Sequence, residues 1–135
     1  MQNKTFAIIK PDAVKNKHTG KIIDIILKEN FNIIEGRLIK MQRTEAEEFY
    51  GIHKERPFFN DLVSYMCSGQ CMVLWLEKDN AVKEWRNLIG ATDPLEAEEG
   101  TIRNLFAESK EKNSVHGSDS DENASIEINF FFDND

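Results

Sequence analysis

Cys71-Met72-Val73-Leu74-Trp75-Leu76 is the most apolar run in the chain, and it constrains the fold more than any other stretch. It is far shorter than the roughly 20 apolar residues a bilayer span needs. It fits a strand buried on both faces. Thr5-Phe6-Ala7-Ile8-Ile9 is a second such run, ended by Lys10-Pro11-Asp12. Pro11 has no amide hydrogen to continue a ladder, so Lys10 stands at the C-terminal end of that strand. Side chains at strand ends often line ligand crevices, although a solvated lysine would look the same. Residues 31–41 (FNIIEGRLIKM) read as a third strand with Gly36 as a bulge or bend. A fourth extended piece lies around Ser114 and Val115.

Helical patterns separate these strands. Thr19-Gly20 opens one over Lys21 to Glu29, with Ile22, Ile23, Ile26 and Leu27 on one face. Thr44-Glu45-Ala46-Glu47 fits a capping box and starts a second. Pro57 interrupts it, and Leu62, Val63, Tyr65 and Met66 carry a new helix as core residues. Asp79 or Asn80 caps a helix that buries Val82, Trp85 and Leu88 or Ile89, and Gly90 ends it. An acidic loop (91–100) and a short helix (101–107) follow. Ser120 caps a last helix with Asp121 and Glu122 in its first turn. Phe130-Phe131-Phe132 needs a core or a neighbouring subunit to cover it.

Strands alternating with helices, without repeats or linkers, predict one domain over residues 1–135. The expected class is α+β of the split-βαβ kind, with helices on one sheet face. Formal net charge is −7 with pI near 5, so nucleic acid is a poor general partner. An anionic substrate would need local cations, and Lys10, Arg56, Arg86 and Arg103 must then converge from distant positions. Cys67 and Cys71 lack the spacing of a redox or zinc pair and read as small buried hydrophobes. Met1 to Lys4 runs straight into the first strand without the apolar core of a signal peptide, so the cytoplasm is the expected compartment.

Asn113-Ser114-Val115-His116-Gly117-Ser118-Asp119-Ser120 carries the chemistry. Neutral imidazole is a competent nucleophile. Gly117 adds no bulk, so a large anion can approach the ring. Ser118 can hold a carboxylate or steady the ring. Glu127, on the last helix, can return toward the imidazole and accept its N–H. An exposed histidine in a turn and an ordinary helix glutamate are the plainer readings. No Walker A run or Gly-rich kinase loop is present, so phosphate binding would rest on side chains.

Five blocks together resemble the nucleoside diphosphate kinase family. They are TFAIIKPDAV (Thr5 to Val14), FYGIHKERPFF (Phe49 to Phe59), GATDP (Gly90 to Pro94), GTIR (Gly100 to Arg103) and NSVHGSDS (Asn113 to Ser120). The resemblance covers essentially the whole chain, in order. It implies a ferredoxin-like βαββαβ sandwich with an antiparallel four-stranded sheet. It also implies ping-pong transfer from ATP or another nucleoside triphosphate to a nucleoside diphosphate, through a phosphohistidine at His116 Nδ1. Mg²⁺ would ride in on the phosphates.

Family roles carry over by position. Lys10 matches the lysine on the ribose hydroxyl and the transferred phosphate, and Asn113 its ribose partner. Phe58 matches the aromatic under the base, and Leu62 an apolar contact there. Tyr50 matches an active-site tyrosine, and His53 a phosphate contact. Arg86, Thr92 and Arg103 match phosphate ligands. Ser118 and Glu127 match the residues that hold the imidazole. A base held by a π-face is read weakly, so purine, pyrimidine, ribo and deoxyribo substrates are all expected. A homo-oligomer is implied, tetramer or hexamer. Asn104-Leu105 and Lys110 depart from the family pattern, and the chain stops just past Phe132, which leaves the assembly open. A catalytically dead relative and a histidine relay protein are the rival readings. The intact polar set argues against the first, and the strand-rich runs against the second.

Overall fold

The run at Cys71 forms β3 (Cys71–Glu77) in the interior of a four-stranded sheet. The other strands are β1 (Lys4–Ile9), β2 (Asn32–Ile39) and β4 (Val115–Gly117). The order is β2-β3-β1-β4, and every neighbouring pair is antiparallel. The computed structural model describes residues 3–51, 54–110 and 112–132.

Side-chain alternation along β1 and β3 builds a core on each face of the sheet. Ala7, Ile9, Leu74 and Leu76 point to one face. They are covered by α2 (Thr19–Lys28), α5 (Ala81–Ile89) and α6 (Ile102–Phe106) through Ile22, Ile26, Trp85, Ile89 and Ile102. Phe6, Ile8, Cys71 and Val73 point to the other. There α3 (Arg43–Phe49), α4 (Phe59–Met66) and α7 (Asp121–Phe131) supply Ala46, Val63, Met66, Ile128 and Phe131. The expectation of helices on one face is thus incomplete. Both inner strands are apolar at both parities, and water on either side would cost about 25 cal/mol per Å² of exposed apolar surface.

Local signals fare unevenly. Ser120 caps α7 as expected, accepting from the Asn123 N–H at 3.0 Å. The α3 capping box sits two residues earlier than Thr44: Gln42 is the N-cap, and its N–H donates to Glu45 Oε1 at 2.9 Å. The β2 irregularity falls between Ile33 and Glu35 rather than at Gly36. Gly36 instead allows a close approach, since a Cβ there would lie 3.0 Å from Leu74 Cδ2. Val82 and Leu88 are half-buried, and Ala81, Trp85 and Ile89 fill the α5 core face. Pro11 starts an unpredicted short helix, α1 (Pro11–Lys15). Phe132 is fully buried and Phe131 stacks on Phe6 at 5.4 Å, so the chain's own core takes up most of the phenylalanine trio. Cys71 is buried and Cys67 half-buried, both as free thiols.

Candidate active site

His116 is the middle residue of β4 and pairs with Ile8 of β1. Directly opposed residues project to the same face, so the imidazole lies on the α3–α4–α7 side. Phe6 and Phe49 meet the ring edge-on, with centroids at 6.0 and 5.7 Å. Its Nε2 is 3.0 Å from Glu127 Oε1 on α7. The same oxygen accepts the Ser118 hydroxyl at 2.7 Å. An ionised carboxylate only accepts, so the shared proton belongs to Nε2. Nδ1 then keeps its lone pair, and it has no hydrogen-bond partner among the described residues. One nitrogen is fixed and the other is open, as a nucleophile requires. Ser118 acts on the carboxylate rather than on the ring.

Lys10 follows β1 in extended conformation, two residues past Ile8 and on the same face as His116. Its Nζ donates to Asn113 Oδ1 at 2.8 Å, and its backbone N–H donates to the Ser114 carbonyl at 2.8 Å. Burial lowers the ammonium pKa to about 8; the Arg103 guanidinium adds to this and the Asp12 carboxylate opposes it. Arg103 on α6 donates to the carbonyls of Gly90 at 3.0 Å and Val115 at 2.9 Å. Burial, then Arg86, lowers its pKa to about 10. Arg86 on α5 is exposed, and its side chain has no hydrogen bond or ion pair among the described residues. Asn113 also donates to the Thr92 carbonyl at 3.4 Å.

A cavity of about 910 Å³ gathers these groups. Lys10, Arg86, Thr92, Asn113, His116 and Glu127 line it, with Tyr50, Phe58 and Leu62. Arg103 opens on an adjoining cavity of about 530 Å³ that shares Arg86 and Thr92. Burial pushes the Tyr50 phenol far above its ordinary pKa, so the group is neutral, and its hydroxyl has no partner among the described residues. Arg56, expected to converge with the other cations, is exposed and lines neither cavity. His53 lies outside the described residues.

The cavity can therefore take a polyanion at its cationic side and a flat ring at Phe58, which is 47% exposed. The profile of the family described as "Nucleoside diphosphate kinase" matches residues 3–135. The chain belongs to the nucleoside diphosphate kinase family. A nucleoside diphosphate kinase of Lawsonia intracellularis is 56% identical over 128 residues, covering 95% of this chain and 93% of its own. One of Granulibacter bethesdensis is 54% identical over 129 residues, 96% of this chain and 92% of its own. Among solved structures, the Aquifex aeolicus nucleoside diphosphate kinase superposes with TM-score 0.95 at 41% identity, covering 97% of this chain and 95% of that one. A Halobacterium salinarum nucleoside diphosphate kinase in complex with CDP gives TM-score 0.93 at 33% identity, covering 97% and 88%. The chain is thus an enzyme, a phosphotransferase of the nucleoside diphosphate kinase class, with the family's ferredoxin-like fold.

Kinases of this family work with a divalent cation. Of the carboxylates at the cavity, Glu127 is bound to His116 and Ser118, while Asp61 and Asp119 are exposed. Among the described residues no group of three or more His, Cys, Asp or Glu side chains is placed to hold a metal.

Phe49, Lys112 and Asn123 also line the cavity without having been assigned a role from the sequence, and Tyr65 lines it too. Leu62 and Tyr65 read as core from their helical spacing, yet only Val63 and Met66 of α4 are buried. Trp85 is a further supporting residue, since its Nε1–H donates to the His116 carbonyl at 3.0 Å. Among the described residues no helix is long and apolar enough to cross a membrane.

Proposed function

We propose that the enzyme works by ping-pong transfer through His116. The Nδ1 lone pair attacks the γ-phosphorus of ATP or another nucleoside triphosphate. The bond from that phosphorus to the β-phosphate oxygen breaks, and the nucleoside diphosphate leaves. A second nucleoside diphosphate takes the phosphoryl group from Nδ1 by the same steps reversed. Mg²⁺ bound to the nucleotide offsets phosphate charge. Glu127 holds the Nε2 proton as the ring becomes cationic, and Ser118 holds Glu127. Lys10, Arg86 and Thr92 grip the phosphates, with Arg103 lending charge from the adjoining cavity and His53 a further phosphate contact. Tyr50 offers a neutral phenol beside the ring. Asn113 and Lys10 read the ribose hydroxyls, and Phe58 and Leu62 hold the base. Base and sugar specificity is broad, because stacking accepts any base.

The observation that carries this reading is the imidazole itself: Nε2 is held by Glu127, Nδ1 has no hydrogen-bond partner among the described residues, and the residue lines a cavity with Lys10 and Arg86. We read residues 1–135 as one catalytic domain of a cytoplasmic enzyme. We also read it as a homo-oligomer, tetramer or hexamer. Leu27 on α2 and Ile34 and Leu38 on the edge strand β2 support association, being 53%, 45% and 48% exposed. Light scattering in solution decides the assembly. The mechanism is tested by incubating the enzyme with γ-labelled ATP and then adding ADP, GDP, CDP or dTDP. An acid-labile labelled protein that each acceptor discharges fits the reading. No labelled protein, or discharge by one base alone, refutes the mechanism or the breadth respectively.

A further inference from the structure

A buried carboxylate beside the cavity has no part in the roles above. Asp12 stands in α1, two residues past Lys10, and is 6% exposed. Its Oδ2 accepts the Ser114 N–H at 3.1 Å. Its Oδ1 accepts the Tyr65 hydroxyl, and its own N–H donates to the Tyr65 oxygen at 3.3 Å. Three segments meet at this one side chain: α1, α4 and the turn before β4. Ser114 has φ 71°, in the left-handed region that residues other than glycine rarely adopt. Such a conformation persists only where its surroundings hold it. Here Asp12 binds its N–H, and its carbonyl accepts the Lys10 N–H at 2.8 Å. On one side of Ser114 is Asn113, the acceptor of the Lys10 ammonium; on the other, β4 begins and places His116.

Charge points the same way. The hydrogen-bond acceptor of the buried Lys10 is a neutral amide. Arg103 on α6 acts against the ammonium, and Asp12 acts for it. The other titratable groups at the cavity are Arg86 on α5, Tyr50 on α3, Tyr65 on α4 and His116 on β4. Lys110, Lys112, Asp61 and Asp119 are exposed there, and Glu127 on α7 is engaged by His116 and Ser118. Resting on the reading that Lys10 grips phosphate and ribose, we propose that Asp12 is a positioning residue. Its carboxylate locks the Asn113–Ser114 turn against Lys10 and supplies the negative charge that accompanies the buried ammonium.

Two substitutions separate charge from tether. Asp12→Asn keeps an amide oxygen for the Ser114 N–H and removes the charge. Tyr65→Phe keeps the charge and removes the hydroxyl that holds it. The full chain is assayed with ATP and a diphosphate acceptor from neutral to alkaline pH, and the Lys10 ammonium is titrated in parallel by ¹⁵N NMR. In D12N the alkaline fall of kcat/KM and the NMR midpoint both move lower by about half a pH unit or more. In Y65F neither moves, and KM for the nucleotide rises about threefold. A D12N midpoint that coincides with the parent's overturns the charge role. An unchanged KM in Y65F overturns the tether, and that arm stands even if D12N does not fold. Failure of the phosphohistidine reading is distinct, because the parent itself would then form no acid-labile phosphoenzyme.

Discussion

Replacing Gly117 with alanine would put a methyl carbon 2.7 Å from Trp85 Cδ1 and 2.9 Å from Trp85 Nε1. Carbon contacts are normally about 3.5–4.0 Å, so the indole must move. It has little room to do so. Trp85 is fully buried, and Ile89 Cδ1 would lie 3.2 Å from the same new methyl. Overpacking a tight core costs about 1–3 kcal/mol. Moving the indole also breaks its hydrogen bond to the His116 carbonyl, worth about 1 kcal/mol. A total of about 3 kcal/mol corresponds to a melting temperature lower by on the order of 10 °C in a domain of this size. The carbonyl belongs to His116, so the ring shifts as well, and misplacement of about 1 Å costs on the order of 10²-fold in rate. Thermal melts and phosphoryl-transfer rates on Gly117→Ala measure both effects. Trp85→Phe is the companion variant: it loses the N–H and leaves a void in place of a clash, so it should lose about 1–3 kcal/mol through cavity and lost bond rather than through overpacking. If Gly117→Ala melts with the parent and only raises KM, the glycine serves to admit the nucleotide and the packing argument is wrong.

Other outcomes follow from the same geometry. Lys10 has a pKa of about 8 against 10.5 for an ordinary lysine, so kcat/KM should fall as pH rises through about 8 and the phosphate-binding charge is lost. Stability runs the opposite way. Between those two values the unfolded chain binds more protons than the folded one, so the cost of burying Lys10 charged is relieved as pH rises, and denaturant midpoints across that window should show an upward contribution. Glu127→Gln removes the charge facing Nε2 and should lower kcat about 10–100-fold, with KM nearly unchanged in steady-state assays. Phe58→Ala should raise KM for purine and pyrimidine nucleotides alike, since each stacked base is worth about 1–3 kcal/mol. Its melting temperature should barely move, because the ring is 47% exposed.

Much of this arrangement is legible in the sequence because it follows short-range rules. The apolar runs at Thr5 to Ile9 and at Cys71 place the two inner strands. Pro11 stops the ladder after Lys10, and Ser120 starts the helix that returns Glu127 to His116. What escapes the sequence depends on contacts between distant residues. Gly117 reads as open space for an anion, whereas the fold fills that space with Trp85. Asp12 and Tyr65 are bonded although 53 residues apart, and no local period reveals that pairing. Arg56 reads as one more cation for the cluster, but it sits on the exposed stretch before α4. Gln42 replaces Thr44 as cap because the chain turns into α3 directly after Met41, which is buried in the core.

The position of phosphorus on the imidazole tests the central claim most directly. The protein is loaded from ATP under alkaline quench, and ³¹P-coupled NMR of the isolated histidine peptide reads which nitrogen carries the group. With Nε2 held 3.0 Å from Glu127, the phosphate should be on His116 Nδ1. Phosphate on Nε2, or on any residue other than His116, would contradict the account.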